Sequence, residues 1–405
     1  MSDRERTDPL ERSLSIAMML ETSGPGGAEM VLLQLSDELR RRGHTVHVVG
    51  PDRRSEWLRG KVAELGLVWR EYRIRRALDW GCLRGLVATL RELRVDLVHG
   101  HEFTMAVYGA AAARWLGIPN VISIHGPAYV TEAWRRRAAL RWAFRNSLGV
   151  AAVSEHTRRL LLDRLGLPPA SVQLVHNGIV YRPGERERVR RELGLAPDEV
   201  LVLCVGSLRP GKGHRVLLDA AARLERNGLA TPWRVAIAGE GEEREALASV
   251  VREQGLAHRV HLLGQREDIP DLQAAADVFA LASYWEGLPL AVLEGMFGGN
   301  AIVSTDVGGI SEAVTHGEHG LLTPAGDSAA FADALRRVIT DGGLRERWGR
   351  AARQRAEAEF EVGGMAQAYE RLYQGRGRAA AGRRKAAPGP SAGSHSRQIH
   401  EDPNT

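Results

Sequence analysis

The loop Gly206-Ser207-Leu208-Arg209-Pro210-Gly211-Lys212-Gly213 follows an apolar run and leads into a helical pattern. Its glycines allow a phosphate to approach backbone N–H groups, Arg209 offers fixed guanidinium donors and Lys212 a mobile point charge. That chemistry suits a diphosphate held without a metal, and it would offset charge on a departing nucleoside diphosphate. The same loop also fits a solvated basic turn. Downstream, Glu286-Gly287-Leu288-Pro289-Leu290-Ala291-Val292-Leu293-Glu294 spaces two carboxylates along a loop and the helix after it. Glu294 interrupts an apolar stretch, where a charge needs a partner, and the vicinal hydroxyls of a ribose are such a partner. Glu286 is suited to accept from sugar hydroxyls. As a pair they fit a hydrolase acid and base as well, or a helix N-terminal carboxylate with a solvent-facing neighbour.

Two further clusters lie in the N-terminal half. Gly24-Pro25-Gly26-Gly27-Ala28-Glu29 stands between a strand pattern and a helix, where it can admit a phosphate or sugar or simply turn the chain. It has neither the spacing of a dinucleotide fingerprint nor the Lys-Ser/Thr of a Walker loop. His125-Gly126 ends a strand, and an imidazole there serves equally as a donor to a sugar hydroxyl or phosphate and as a structural group. The histidines lie in no HExxH or cysteine-rich pattern, so no metal site and no cofactor are expected.

Strand and helix patterns that alternate along the chain must position these clusters. Leu14–Leu20, Thr45–Val49, Val95–His99, Asn120–Ile124, Val150–Val153 and Val172–Val175 read as strands, with helices over Ala28–Arg42, Thr104–Leu116, Thr131–Asn146 and Glu155–Leu165. The polar segment Tyr181–Arg191 reads as a domain junction. A second series follows: strands at Val200–Val205, Trp233–Ala238, Arg259–Leu262, Val278–Leu281, Ala301–Ser304 and Gly320–Leu322, with helices between and after them. This succession predicts an α/β protein of two Rossmann-like doubly wound domains facing across a cleft, with ligand-binding loops at the carboxyl ends of the strands.

Composition narrows the function classes. The chain has 405 residues, 44% apolar and 26% charged, and a formal charge of +5. From Gln374 onward six cations face two anions, which puts +4 of that charge in a Gly-, Ala-, Ser- and Pro-rich tail. The folded part is therefore nearly neutral, and no nucleic-acid partner is expected. The tail, residues 374–405, is expected to be disordered, as is a flexible N-terminus, residues 1–12. Cys82 and Cys204 lack metal or disulfide spacing. With no apolar leader or spanning run, the expected location is cytoplasmic. The basic, aromatic stretch Trp134, Arg135, Arg136, Arg137, Arg141, Trp142, Phe144 and Arg145 either packs its rings on the sheet or rests on anionic lipid. The second alternative adds peripheral contact with the inner membrane face to the expectations.

Together these motifs resemble glycosyltransferase family 4, the large retaining family with the GT-B fold, over roughly Ser13–Tyr373. The matching pieces are Gly26-Gly27-Ala28-Glu29, His125-Gly126, Asn177-Gly178, the E-x7-E pair Glu286 and Glu294, and Gly308-Gly309-Ile310-Ser311-Glu312. The resemblance implies that Lys212 holds the donor diphosphate, with Gly206 in the same loop. The family arginine that directly follows the glycine is Ser207 here, which leaves two alternatives: Arg209 reaches back as the substitute cation, or backbone and Ser207 contacts dominate instead. It implies Glu294 and Leu290 at the nucleotide, Glu286 beside the donor sugar, His125 near the outer sugar hydroxyls, Gly26 and Gly27 under the phosphates, and Asn177 as a substrate contact.

The implied partners are a UDP- or GDP-linked sugar and a hydroxyl acceptor, with a lipid-linked one among the candidates. The implied reaction is metal-free hexosyl transfer with retention, in glycolipid, polysaccharide or other glycoconjugate synthesis. The rivals are a sugar-nucleotide epimerase or hydrolase on the same scaffold, a non-catalytic sugar-nucleotide-binding protein, and an NAD-dependent enzyme. The expected domains are 13–182 on the acceptor side and 183–362 on the nucleotide-sugar side, with a helix at 363–373 crossing back to the first.

Overall fold

A computed structural model of the chain describes residues 13–52, 55–126 and 133–375. The expected flexible N-terminus, the start of the helix expected from Thr131, and the basic tail from Arg376 lie outside these residues.

Two parallel sheets organise the molecule. The first contains β1 (Ser15–Met19), β2 (Thr45–Pro51), β3 (Val68–Tyr72), β4 (Leu97–His101), β5 (Asn120–Ile124), β6 (Gly149–Ala152) and β7 (Gln173–Leu174), in the order β3-β2-β1-β4-β5-β6-β7. Its helices are α1 (Gly27–Arg41), α2 (Glu56–Glu64), α3 (Trp80–Glu92), α4 (Glu102–Leu116), α5 (Trp134–Arg145) and α6 (Glu155–Leu165). The second sheet contains β8 (Val200–Val205), β9 (Trp233–Ala238), β10 (Val260–Gly264), β11 (Val278–Leu281), β12 (Ala301–Thr305) and β13 (Gly320–Thr323), in the order β10-β9-β8-β11-β12-β13. Around it lie α7 (Arg186–Glu192), α8 (His214–Arg226), α9 (Arg244–Glu253), α10 (Ile269–Ala275), α11 (Leu290–Phe297), α12 (Ile310–Ala313), α13 (Ser328–Thr340), α14 (Gly342–Glu359) and α15 (Val362–Tyr373). This is the two-domain, doubly wound α/β architecture that the alternating pattern predicts.

Each sheet reverses its winding direction once, between β1 and β4 and between β8 and β11. At such a point the two flanking loops diverge and leave a crevice at the carboxyl edge. The Gly26-Gly27 turn opens on the first crevice, and the Gly206–Gly213 loop and the Glu286 loop on the second. The strands are covered on both faces: Ile16 and Met18 on one side and Ala17 and Met19 on the other are buried, as are Leu201 and Leu203 opposite Val202 and Cys204, as apolar runs without alternation require. Helix α8 buries Val216, Leu217, Ala220, Ala221 and Leu224 in the second core.

The polar segment Tyr181–Arg191 holds a helix, α7, that apolar periodicity does not reveal. Its anchors are cations. Arg186 Nη1 donates to the carbonyls of Ala274 and Ala275, both at 3.0 Å, and Nη2 to Asp277 at 2.8 Å. Arg188 pairs with Asp268 and Asp271, and Arg190 Nη2 donates to the Glu199 carbonyl at 2.7 Å. A stripe of arginines thus does here what an apolar stripe does elsewhere, closing the carboxyl end of α10. Strand β4 also runs further than its apolar residues suggest, to His101, because partners sheltered inside the protein accept the imidazoles.

The chain crosses between the sheets twice, and the crossings pair. Ile179 N–H donates to the Phe360 carbonyl at 2.9 Å and Val362 N–H to the Ile179 carbonyl at 3.1 Å. Helix α15 then docks on the first sheet's side. Its Glu370 accepts from Arg42 Nε at 2.9 Å and Nη2 at 2.7 Å, and lies 3.2 Å from His44 Nε2. These partners hold the Glu370 carboxyl below its ordinary value despite the burial that opposes them.

Candidate active site

In the second domain, the turn after β8 is closed by Gly206 N–H donating to the Ala238 carbonyl at 3.0 Å. Ser207 is half-buried; its carbonyl accepts from His214 Nε2 at 3.1 Å and from Arg209 N–H at 2.9 Å. A short 3-10 turn over Pro210–Lys212 then lifts Lys212 toward β11. There Lys212 Nζ donates to Glu286 Oε1 at 2.7 Å, and Ser283 Oγ donates to the same oxygen at 2.7 Å. Glu286 is buried. Leu290 opens α11, and one turn on Glu294 stands with its carboxyl engaged by no ion pair or hydrogen bond among the described residues. Burial pushes that carboxyl up to about 7.

In the first domain, Gly26 caps α1 in an extended conformation and Gly27 begins the helix. Glu29 is buried behind them. Burial raises its carboxyl, and Arg209 of the facing domain is among the groups that pull it back. Arg209 is exposed and lies near enough to the first domain for its charge to act on Glu29. At the ends of β4 and β5, three imidazoles line up. His101 Nδ1 lies 2.8 Å from His125 Nε2 with the rings stacked, and the His99 and His101 ring centres are 4.3 Å apart. His99 contacts Tyr373 Oη at 2.9 Å and Ser123 Oγ at 2.7 Å, and Ser123 reaches Tyr369 Oη at 2.7 Å. Burial lowers His125 to about 4 and His99 to about 3, and drops His101 well below its ordinary value. All three are neutral near pH 7, so His125 stands as a hydrogen-bonding group rather than as a cation.

Next to His101, Glu102 holds a φ of 64°, a left-handed conformation costly for a residue with a side chain. Its Oε1 accepts the His125 backbone N–H at 3.2 Å, while Oε2 is buried without a partner. Burial, with Glu21 next in effect, raises its carboxyl well above the ordinary range.

The two halves touch. A Cβ on Gly287 would sit 1.9 Å from the His125 carbonyl oxygen, so only glycine allows Glu286 to come this close to the first sheet. Asn177 Nδ2 donates to the Leu288 carbonyl at 2.8 Å. Glu312, from α12, reaches across to the start of α6: Oε2 accepts Glu155 N–H at 2.8 Å and lies 3.0 Å from His176 Nε2, while Oε1 accepts His156 N–H at 3.1 Å. One carboxylate thereby caps a helix of the opposite domain.

Lys212, Glu286, Gly287 and the backbone of His125 thus form one contiguous group, and the charge of Arg209 acts on Glu29 beside Gly26 and Gly27. Asn177 spends its amide on a contact between domains, and its Oδ1 is buried without a partner. Residues that motif reading left without roles are His101, Glu102, Ser283 and Trp285. The run His99-Gly100-His101-Glu102 at the end of an apolar strand was the available signal for the first two.

Two family models match the chain. The model for glycosyl transferases group 1 covers residues 185–355, and the model for Glycosyltransferase Family 4 covers residues 25–181. A D-inositol 3-phosphate glycosyltransferase from Kribbella flavida is 31% identical over 284 residues, covering 65% of this chain and 67% of the relative. The corresponding enzyme from Nocardia farcinica is 33% identical, with 61% of this chain and 59% of the relative covered, so the match spans under two thirds of that protein's length. An Escherichia coli UDP-Gal:alpha-D-GlcNAc-diphosphoundecaprenol alpha-1,3-galactosyltransferase is 29% identical, covering 65% of this chain and 71% of the relative. Among solved structures, HepE of Anabaena in complex with UDP and glucose superposes with a TM-score of 0.77 at 23% identity, covering 89% of this chain and 99% of that one. Its likeness bears on the fold, which is GT-B. With both halves matched in order by their own family models, the chain belongs to glycosyltransferase family 4, among the group 1 glycosyl transferases.

Proposed function

We propose that the protein is a retaining glycosyltransferase that moves a hexosyl group from a UDP- or GDP-linked sugar to a hydroxyl acceptor without a metal ion. The observation that carries this reading is the Lys212–Glu286 pair at 2.7 Å, held against the first domain where Gly287 meets the backbone carbonyl of His125. Lys212 and Arg209 offset the charge that grows on the departing diphosphate. Glu286 and His125 accept and donate to the sugar's hydroxyls, and Glu294 receives the ribose. Gly26, Gly27, Gly206 and Ser207 bring backbone close to the phosphates.

The acceptor oxygen forms its bond to the anomeric carbon on the face from which the diphosphate leaves. The carbon–oxygen bond to phosphate breaks with its electron pair, and the acceptor's proton passes to the leaving phosphate oxygen. Catalysis is then positioning and charge stabilisation, with no covalent enzyme intermediate.

The relatives that carry UDP or use UDP-galactose support a nucleotide-sugar donor, and the galactosyltransferase's diphosphoundecaprenol substrate supports a lipid-linked acceptor. Helix α5 leaves Trp134, Arg135, Arg136, Arg141, Trp142 and Arg145 exposed, a composition suited to the anionic inner membrane face, so the working location is cytoplasmic with peripheral membrane contact. Of the described helices, none is long and apolar enough to cross a membrane.

The test is thermal unfolding with a panel of nucleotides and a chelator. UDP or GDP at about 100 times its dissociation constant should add about 2.7 kcal/mol of stability. That gain should persist with chelator and fall sharply in Lys212→Ala. Loss of the shift on chelation would overturn the metal-free reading. NMR of the product's anomeric coupling then tests retention.

A further inference from the structure

Large aromatic side chains are usually buried, yet Tyr284 is 43% exposed and Trp285 56% exposed, immediately before Glu286 in the chain. Both line a cavity of about 390 Å³ at the mouth of the cleft, together with Glu286, Asp306, Ser311 and, from the first domain, His156. That volume falls within the roughly 300–1,000 Å³ typical of small-ligand sites. The indole is not loose: its six-membered ring lies over Gly211, where a Cβ would come within 2.3 Å of it. His156 is fixed as well, through its backbone N–H to Glu312. The cavity is therefore built by both domains.

Its chemistry is particular. A broad apolar surface stands beside two carboxylates, a hydroxyl and an imidazole. Carboxylates repel phosphate and find few donors on a nucleobase. A pyranose ring suits all of these groups at once: it has an apolar face of C–H bonds to lie on an indole, and several hydroxyls to donate to carboxylates. Neither Lys212, Ser207, Gly27 nor Glu294 lines the cavity among the described residues, so it stands apart from the proposed diphosphate and ribose contacts, with Glu286 as the shared wall.

We infer that this cavity is an acceptor subsite for a sugar ring, stacked on Trp285 and hydrogen-bonded by Asp306, so that the acceptor is itself a glycoside. The inference rests on the transferase reading. In this arrangement the ring offers one hydroxyl to the donor's anomeric carbon beside Glu286. The oxygen–carbon bond forms, the carbon–phosphate oxygen bond breaks, and the proton leaves on the diphosphate.

Saturation-transfer NMR on the full chain with saturating UDP tests it. The probes are methyl glucopyranoside, methyl galactopyranoside, methyl mannopyranoside and N-acetylglucosamine, with inositol phosphate and glycerol phosphate as contrasts. At least one pyranoside should receive saturation at the C–H protons of one ring face. The signal should fall at least about fivefold in Trp285→Ala, survive in Trp285→Phe and weaken in Asp306→Asn. Since Trp285 also supports Gly211, Asp306→Asn is the variant in which the UDP-induced thermal shift should match wild type. Unchanged signal in both Trp285→Ala and Asp306→Asn, displacement of the pyranoside by intact UDP-sugar, or binding of the phosphates alone would each overturn the subsite. Absence of any nucleotide shift in the wild type would instead remove the transferase reading, whatever the pyranosides do.

Discussion

Two ionisable environments govern the chemistry of individual residues. Glu294 has a carboxyl raised to about 7 by burial. A ribose diol is best received by the ionised form, so the UDP-induced stability gain should grow as pH rises through about 7 and then level off. Glu294→Gln should flatten that profile and weaken UDP binding about tenfold, read by calorimetry across pH 6–8. The histidine row behaves oppositely. His99, His101 and His125 are all depressed by burial, so the unfolded chain binds protons that the folded chain refuses. Their contribution is fully present above about pH 6.5 and is lost as pH falls toward their folded values. At pH 5 the loss reaches about 2 kcal/mol each for His99 and His125. Urea midpoints measured between pH 7 and 5 should drop accordingly, and His101→Asn should shallow the drop.

Helices join the two domains through their ends. The start of α6 is capped by Glu312 from the other domain, with His176 at the same carboxylate. Replacing Glu312 by Ala strips two backbone donors and an imidazole of their acceptor at a partly buried seam, and should destabilise the closed arrangement by about 2 kcal/mol or more. Small-angle scattering should then show a larger radius of gyration, while both domains keep their secondary structure by circular dichroism. An unchanged radius would mean that the remaining contacts hold the seam alone. Helix α15 binds the first domain through Glu370 and places Tyr369 and Tyr373 against Ser123 and His99. The histidines behind the site are therefore supported by the last helix of the chain.

For the whole molecule, catalysis as proposed depends on how near the two sheets come. Gly287 meets the His125 carbonyl with no room for a methyl group. Gly287→Ala should keep the cleft ajar, leave nucleotide binding by the second domain within about threefold of wild type, and cut transfer by at least about 100-fold. Equal transfer rates in mutant and wild type would show that the close approach is dispensable.

The alternation of apolar runs with glycine turns sufficed, read in sequence, to establish two parallel sheets and to put the Gly26-Gly27, Gly206–Gly213 and Glu286–Glu294 clusters at strand ends. Periodicity and turn preference are local properties, legible a few residues at a time. Helix α7 escaped that reading because arginines rather than apolar side chains anchor it. Tertiary structure alone decided that Lys212 pairs with Glu286 across 74 positions and Glu312 with Glu155 across 157, that the charge of Arg209 acts on Glu29, and that three imidazoles stay neutral. Partner choice and protonation depend on which groups burial and long-range packing bring together, and no window of sequence contains that information.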